Sequence, residues 1–116
     1  NVTFHQPVPY NELSNLLCSA DLHILFQKND VIDTVMPSKI LAMMASNKPS
    51  LITGNLKSEV ATIIKTSKGG AYFNSLEIEN VIDFIKKLKS DPELYVRRSV
   101  ANNLNRQFMF YLHFPQ

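Results

Sequence analysis

Asp33-Thr34-Val35-Met36-Pro37-Ser38-Lys39-Ile40-Leu41-Ala42-Met43-Met44-Ala45-Ser46-Asn47-Lys48-Pro49 holds a polar loop, an abrupt helix start and a helix with hardly a polar face. A proline in the first turn of a helix loses nothing, because its missing N–H had no partner inside the helix, and Ser38 can satisfy a neighbouring free amide. Ile40, Leu41, Met43, Met44 and Ala45 cover almost every direction around the axis, so the spacing predicts a helix buried on all sides. Asn47 can take the left-handed conformation that ends a helix, and Pro49 bars its extension. Two readings of the helix start are open. It is a capped core helix whose lysine is solvated, or its free N–H groups, the Ser38 hydroxyl and the Lys39 ammonium form an anion site suited to a phosphate.

A helix buried all round needs layers about it, and the flanking sequence supplies them. Upstream, Leu22-His23-Ile24-Leu25-Phe26 is a near-continuous apolar run of strand length, the pattern of a strand covered on both faces in a parallel sheet. His23 inside it reads as a hydrogen-bonded core or edge residue. Before that run, Leu13, Leu16, Leu17 and Ala20 form one helical stripe from about Tyr10, expected to lie on a sheet face. Earlier still, Val2 to His5 reads as a short strand closed by Gln6-Pro7-Val8-Pro9.

Downstream, Ser50-Leu51-Ile52-Thr53 is the next strand, and Gly54-Asn55 turns into a helix from about Ser58 with Val60, Ile63 and Ile64 inward. Gly69 and Gly70 are expected to end that helix and lead into the strand Ala71-Tyr72-Phe73. Asn74-Ser75-Leu76-Glu77 resembles a capping box, after which Ile78, Val81, Ile82, Ile85 and Leu88 keep a helical stripe. Ser90-Asp91-Pro92-Glu93 starts a last helix, with Leu94, Val100, Ala101 and Leu104 expected inward and Arg97 at the edge. Its end, Phe108 to Phe114, has no clear period and suits packing on a further domain.

The order is strand, helix, strand, helix, strand, helix, strand, helix, helix. Such alternation predicts an α/β fold, with right-handed crossovers and a parallel sheet carrying helices on both faces. At 116 residues, 45% hydrophobic and 19% charged, the chain has room for one core, so residues 1–116 are expected to form a single domain. Four strands are few for such a sheet, and a chain that opens at Asn1 directly into a strand is expected to be a piece truncated at its N-terminus.

Composition narrows the chemistry. A net charge of +2 with scattered Lys and Arg gives no nucleic-acid footprint. The single cysteine, Cys18, excludes an internal disulfide and is expected to be a small buried hydrophobe. No glycine-rich dinucleotide or phosphate loop and no nucleophile elbow occurs. His5, His23 and His113 lack second ligands at metal spacing, so no metal is expected. Asp30 and Asp33 lie three apart in a loop and make a weak acid pair. What remains is the anion site at Ser38 and Lys39 with the polar loop Gln27 to Thr34 in front of it, and the switch-point rule for α/β sheets puts a nucleotide there.

At this point the residues resemble a known family. Asn1-Val2-Thr3-Phe4-His5, the Pro-Tyr-x-Glu-Leu of Pro9 to Leu13, Ser19-Ala20-Asp21, Met36-Pro37-Ser38-Lys39, Met44 to Pro49, Ser58-Glu59 and Ser90 to Leu94 are similar, in that order, to bacterial glycosyltransferases of the two-domain GT-B type. Nearest is the retaining group 4 family, also called group 1, that builds capsular and exopolysaccharides. The resemblance implies a Rossmann-like donor-binding half without its first strands or its acceptor domain. It implies that Asp33, Thr34 and Val35 approach the donor sugar, that Met36, Pro37, Ser38 and Lys39 bind the diphosphate, and that the turn at Gln6, Pro7 and Val8 approaches the base. The donor would be a UDP or GDP sugar, bound as substrate with no further cofactor. The acceptor would be a glycan or a lipid-linked sugar held by the absent domain, in the cytoplasm at the inner face of the plasma membrane.

Two departures alter the expected site. The family's paired glutamates fall on Thr34 and Ala42, so the ribose-binding position Ala42 carries no carboxylate. Gln6 stands where a glycine is usual and crowds the base. Two other functions are alternatives: a nucleotide-sugar epimerase of the same architecture, which needs acids near the sugar and is disfavoured by these departures, and a non-catalytic nucleotide-binding or regulatory domain, which they keep open.

Overall fold

A computed structural model describes residues 2–30 and 38–113, with the helical backbone alone described at Ser38 and over 103–113. A single 3₁₀ turn at Tyr10–Glu12 opens into α1 (Leu13–Ser19), followed by β1 (His23–Phe26), α2 (Ser38–Ala45), β2 (Ser50–Thr53), α3 (Glu59–Ser67), β3 (Gly70–Phe73), α4 (Ile78–Ser90) and α5 (Pro92–His113). The strands form one parallel sheet in the order β1-β2-β3, in flush register from His23↔Ser50↔Gly70 to Phe26↔Thr53↔Phe73. The fold is thus the expected mixed α/β, Rossmann-like arrangement of a parallel sheet flanked by helices.

Alternation along the strands sorts the two layers, because successive side chains point to opposite faces. Ile52 and Tyr72 face α2 and α3 in a core with Ile40, Met43, Met44, Val60, Ala61 and Ile64. Leu51, with Ala71 and Phe73, faces the other way, onto Phe84 and Leu88 of α4. α3, α4 and α5 carry the start signals of their sequences. Ser58 caps α3 by accepting from Val60 N at 3.1 Å, Asn74 N donates to Glu77 Oε2 at 2.7 Å ahead of α4, and Leu94 N donates to Asp91 Oδ1 at 3.1 Å in α5. Asn47 takes the expected left-handed φ of 62° after α2.

Several expectations are corrected. Val2 to His5 is not a strand, and Val2 and Phe4 are 82% and 94% exposed. Strand propensity is realised only where side chains find a pleated neighbour, and this segment has none among the described residues. The sheet there has three strands, not four. α2 is not buried all round: Ile40, Met43 and Met44 are buried, but Ala42 and Ala45 are half-buried and line a groove towards α1. α1 has no buried residue, and Leu16 is 48% exposed. Cys18 is exposed rather than buried.

The end of α3 also differs. Its left-handed cap is Lys68, at φ 60°, and the two glycines that follow serve close approach instead. A Cβ on Gly69 would collide with the Asn102 carboxamide, and one on Gly70 with the Ser50 carbonyl. On α5 Leu94 packs inward as expected, but Val100 is exposed, and Arg98, half-buried, and Asn102, fully buried, also point inward; the Leu104 side chain lies outside the described residues. Among the described residues no helix is long and apolar enough to cross a membrane.

Candidate functional site

The site is built by the crossover between β1 and β2. Two neighbouring parallel strands require the intervening chain to return from the end of the first to the start of the second, so α2 begins at the carboxyl end of the sheet. Its first residues are Ser38 and Lys39, and the Lys39 side chain is in solvent while Ile40 and Met44, on the inner side, are fully buried. A helix start fixed by its own buried face presents unpaired amides and the positive end of the dipole in one place.

Beside it, the strand ends are tied together. Gln27 N donates to the Thr53 carbonyl at 2.8 Å and Gly54 N to the Phe73 carbonyl at 2.9 Å, continuing the ladder past the strands. The Tyr72 hydroxyl donates to the Asn55 carbonyl at 3.0 Å and lies 3.4 Å from Gln27 Oε1, and Asn55 Nδ2 donates to the Asn29 carbonyl at 2.7 Å. Gly54 is required at this junction, since a Cβ there would stand 2.5 Å from the Tyr72 hydroxyl and 3.1 Å from Gln27 Cβ. Tyr72 thereby anchors the first residues of the loop that leads to α2. Sequence reasoning missed this residue. Its signal is a tyrosine, the one strand residue type with a polar tip at the end of a long apolar body, aligned with a Gly-Asn turn on the next strand.

A groove of about 280 Å³ between α1 and α2 is lined by Tyr10, Leu13, Leu17, Ala42, Ala45 and Ser46, among others. It brings Ala42 into one cavity with Tyr10, which follows the Gln6 to Pro9 turn directly. Gln6 and Pro7 are exposed and Val8 is half-buried. Asp33, Thr34, Val35, Met36 and Pro37 lie outside the described residues, as does the Ser38 side chain.

At the opposite end of the sheet His23 holds α1, β1 and the end of α2 together. Its Nε2 lies 2.9 Å from Ser46 Oγ, whose own hydrogen goes to the Met43 carbonyl at 2.6 Å, so the ring nitrogen is the donor of that pair. Burial pushes the His23 pKa down, the Leu17 backbone opposes this, and the Lys48 charge adds to the lowering. This is a hydrogen-bonded, half-buried histidine on the edge strand of the described sheet, one of the two placements, core or edge, that its sequence context implied.

No protein-family model, no curated protein and no solved structure matches the chain. Function therefore has to be argued from these residues and their placement. Among the described residues no three His, Cys, Asp or Glu side chains gather as a metal-ligand set.

Proposed function

We propose that the chain is the donor-binding half of a GT-B-type glycosyltransferase, holding a UDP or GDP sugar for transfer to a glycan or lipid-linked acceptor in surface-polysaccharide assembly. The observation that carries this reading is the start of α2. It stands at the carboxyl end of a parallel sheet, with Lys39 in solvent and the helix body locked in the core, and it coincides with the Met36-Pro37-Ser38-Lys39 segment on which the sequence resemblance rests. Crevices outside the carboxyl ends of strands are where open α/β sheets bind nucleotides.

The chemistry asked of these residues is electrostatic. As the sugar leaves, negative charge grows on the diphosphate, and amides, dipole and ammonium already in place stabilise it without reorganising. The helix dipole contributes about 0.3–1 kcal/mol at an exposed site and more when partly buried. Acceptor activation belongs to residues outside this chain, so the chain alone is expected to bind donor without turnover, in a protein working in the cytoplasm at the inner face of the plasma membrane.

The test is calorimetric titration with UDP, GDP and their sugars, repeated on Lys39→Ala. Binding that weakens about tenfold or more in the variant supports the assignment. No binding at millimolar nucleoside diphosphate, or equal binding by the variant, removes it.

One observation favours a second reading. Ala42 lines the groove where a carboxylate would be needed for ribose, which fits a domain that kept the fold and binds a nucleotide without catalysis. An epimerase, which needs acids beside the sugar, is disfavoured by Thr34 and Ala42 alike.

A further inference from the structure

Thr53 ends β2 with a buried hydroxyl that the fold does not use. The residue is 4% exposed, its carbonyl accepts from Gln27 N, and its side chain makes no hydrogen bond among the described residues. Burying a hydroxyl without a partner is unfavourable, so such a group calls for a reason.

Strand alternation fixes the direction in which it points. Leu51 faces α4, so Thr53, two residues on, faces the same way, and its register partners Phe26 and Phe73 share that face. There Thr53 lines a cleft of about 370 Å³ together with Phe26, Gln27, Ser75, Ile78 and Val81. Phe26 is 72% and Ile78 64% exposed, so the cleft has open apolar walls over a nearly sealed floor. Asn29 Oδ1 and Ser50 Oγ are unpartnered polar atoms shut off from any cavity, but the Thr53 hydroxyl is not among the sealed atoms and opens on the cleft.

The lining decides what fits. The cleft lies at the carboxyl ends of β1 and β2, on the opposite face of the sheet from α2. Small-molecule sites are clefts of about 300–1,000 Å³, mostly apolar, with a few placed polar groups. None of the described residues that line this one is charged, so an ion would go unpaired. A sugar carries a hydroxyl on most of its carbons, and the Thr53 and Ser75 hydroxyls cannot serve them all. A plain hydrocarbon would leave Thr53 as it is. A neutral aromatic ring with one polar substituent meets both demands, since its face packs on Phe26 and its edge reaches the floor.

We propose that this cleft binds a neutral aromatic ring carrying one hydrogen-bonding group at its edge, with the ring against Phe26, Ile78 and Val81 and the edge group on the Thr53 hydroxyl. This inference does not rest on the nucleotide reading, which concerns the other face of the sheet.

The test uses phenol and toluene, which share a shape and differ by a hydroxyl for a methyl group, with cyclohexanol as the non-aromatic control. Methyl NMR of the whole chain follows Thr53, Ile78 and Val81 as each probe is added to about 5 mM, a range that reads weak affinities. Phenol is expected to shift all three residues and to bind at least about threefold more tightly than cyclohexanol. Thr53→Val keeps the branched shape and removes the hydroxyl. It should weaken phenol about fivefold and leave toluene unchanged or tighter. It should also raise the urea midpoint of the chain without probe, because an unpaired buried hydroxyl is gone. Phe26→Ala, at an exposed position, should weaken both aromatic probes. The proposal is overturned by phenol that shifts none of these methyl groups, by cyclohexanol that binds as tightly, or by equal losses of phenol and toluene in Thr53→Val. A lower urea midpoint in that variant also overturns it, since the hydroxyl would then have a partner within the fold.

Discussion

Asn102 Nδ2 donates to the Gly69 carbonyl at 3.0 Å, and its carboxamide fills the space where a Cβ on Gly69 would stand. The same nitrogen donates to the Lys48 carbonyl at 2.6 Å, so one buried side chain on α5 holds the entries to both β2 and β3. Arg98, one turn earlier, repeats the pattern with bonds to the Lys68 and Gly70 carbonyls at 2.9 and 3.3 Å, its guanidinium 5.9 Å from the Phe84 ring centre. Asn102→Leu leaves the Lys48 carbonyl without this partner, at about 1–3 kcal/mol, while the Gly69 carbonyl keeps the Ser50 amide at 3.3 Å. Gly69→Ala overpacks the same point by about 1–3 kcal/mol. Urea denaturation should show both losses, and a double-mutant cycle with Asn102→Ala should show them to be coupled, since the smaller residue makes room for the new methyl group.

Tyr72 and Gly54 make the corresponding junction at the carboxyl end of the sheet. Tyr72→Phe removes the bond to the Asn55 carbonyl and is expected to cost about 1 kcal/mol of global stability. Hydrogen exchange separates this from a general loosening. Faster exchange should be confined to the amides of Gln27 to Asp30 and of the Gly54-Asn55 turn, and equal acceleration throughout the sheet would contradict a local anchoring role.

These two junctions also mark where sequence reading stopped. Apolar periodicity and cap residues placed α2, α3, α4 and the start of α5, because those signals lie within one element. Asn102 and Arg98 are buried for the sake of carbonyls contributed by other segments, and nothing near them in the sequence announces it; an apolar stripe search therefore preferred Val100, which is exposed. Val2 to His5 failed for the opposite reason, having strand propensity without a neighbouring strand. At the candidate site the position of Lys39 was legible from Pro37 and Ser38, whereas the groove that joins Ala42 to Tyr10 depends on how α1 settles beside α2, which spacing within either helix does not encode.

His23 sets a pH dependence with a definite sign. In the unfolded chain it titrates near 6.5, and in the fold burial lowers its pKa. Between the two values the unfolded chain holds more protons, so stability rises with pH through that window. Its contribution is complete above about 6.5 and is lost as pH falls through the folded value. His23→Gln keeps a donor for Ser46 without a titrating group. Urea midpoints between pH 7.5 and pH 5 should fall more steeply for the native chain than for the variant, and identical slopes would show that the ring is not held as described.

Ala42 offers a gain-of-binding test. It is half-buried, one turn into α2, and lines a groove of about 280 Å³ that has room for a longer side chain. If a nucleoside diphosphate lies with its phosphates at the start of α2 and its ribose towards this groove, Ala42→Glu introduces a carboxylate that can accept hydrogen bonds from the ribose hydroxyls. Hydrogen bonds to a charged group contribute about 1.5–3 kcal/mol, about tenfold or more in affinity. Inorganic pyrophosphate has no hydroxyls to donate, and a new negative charge near it can only repel. Calorimetry on the variant should therefore show UDP or GDP binding tightened and pyrophosphate binding unchanged or weakened. Tightening of neither nucleotide would place the ribose elsewhere, while equal weakening of all three would locate the phosphates, rather than the ribose, beside residue 42.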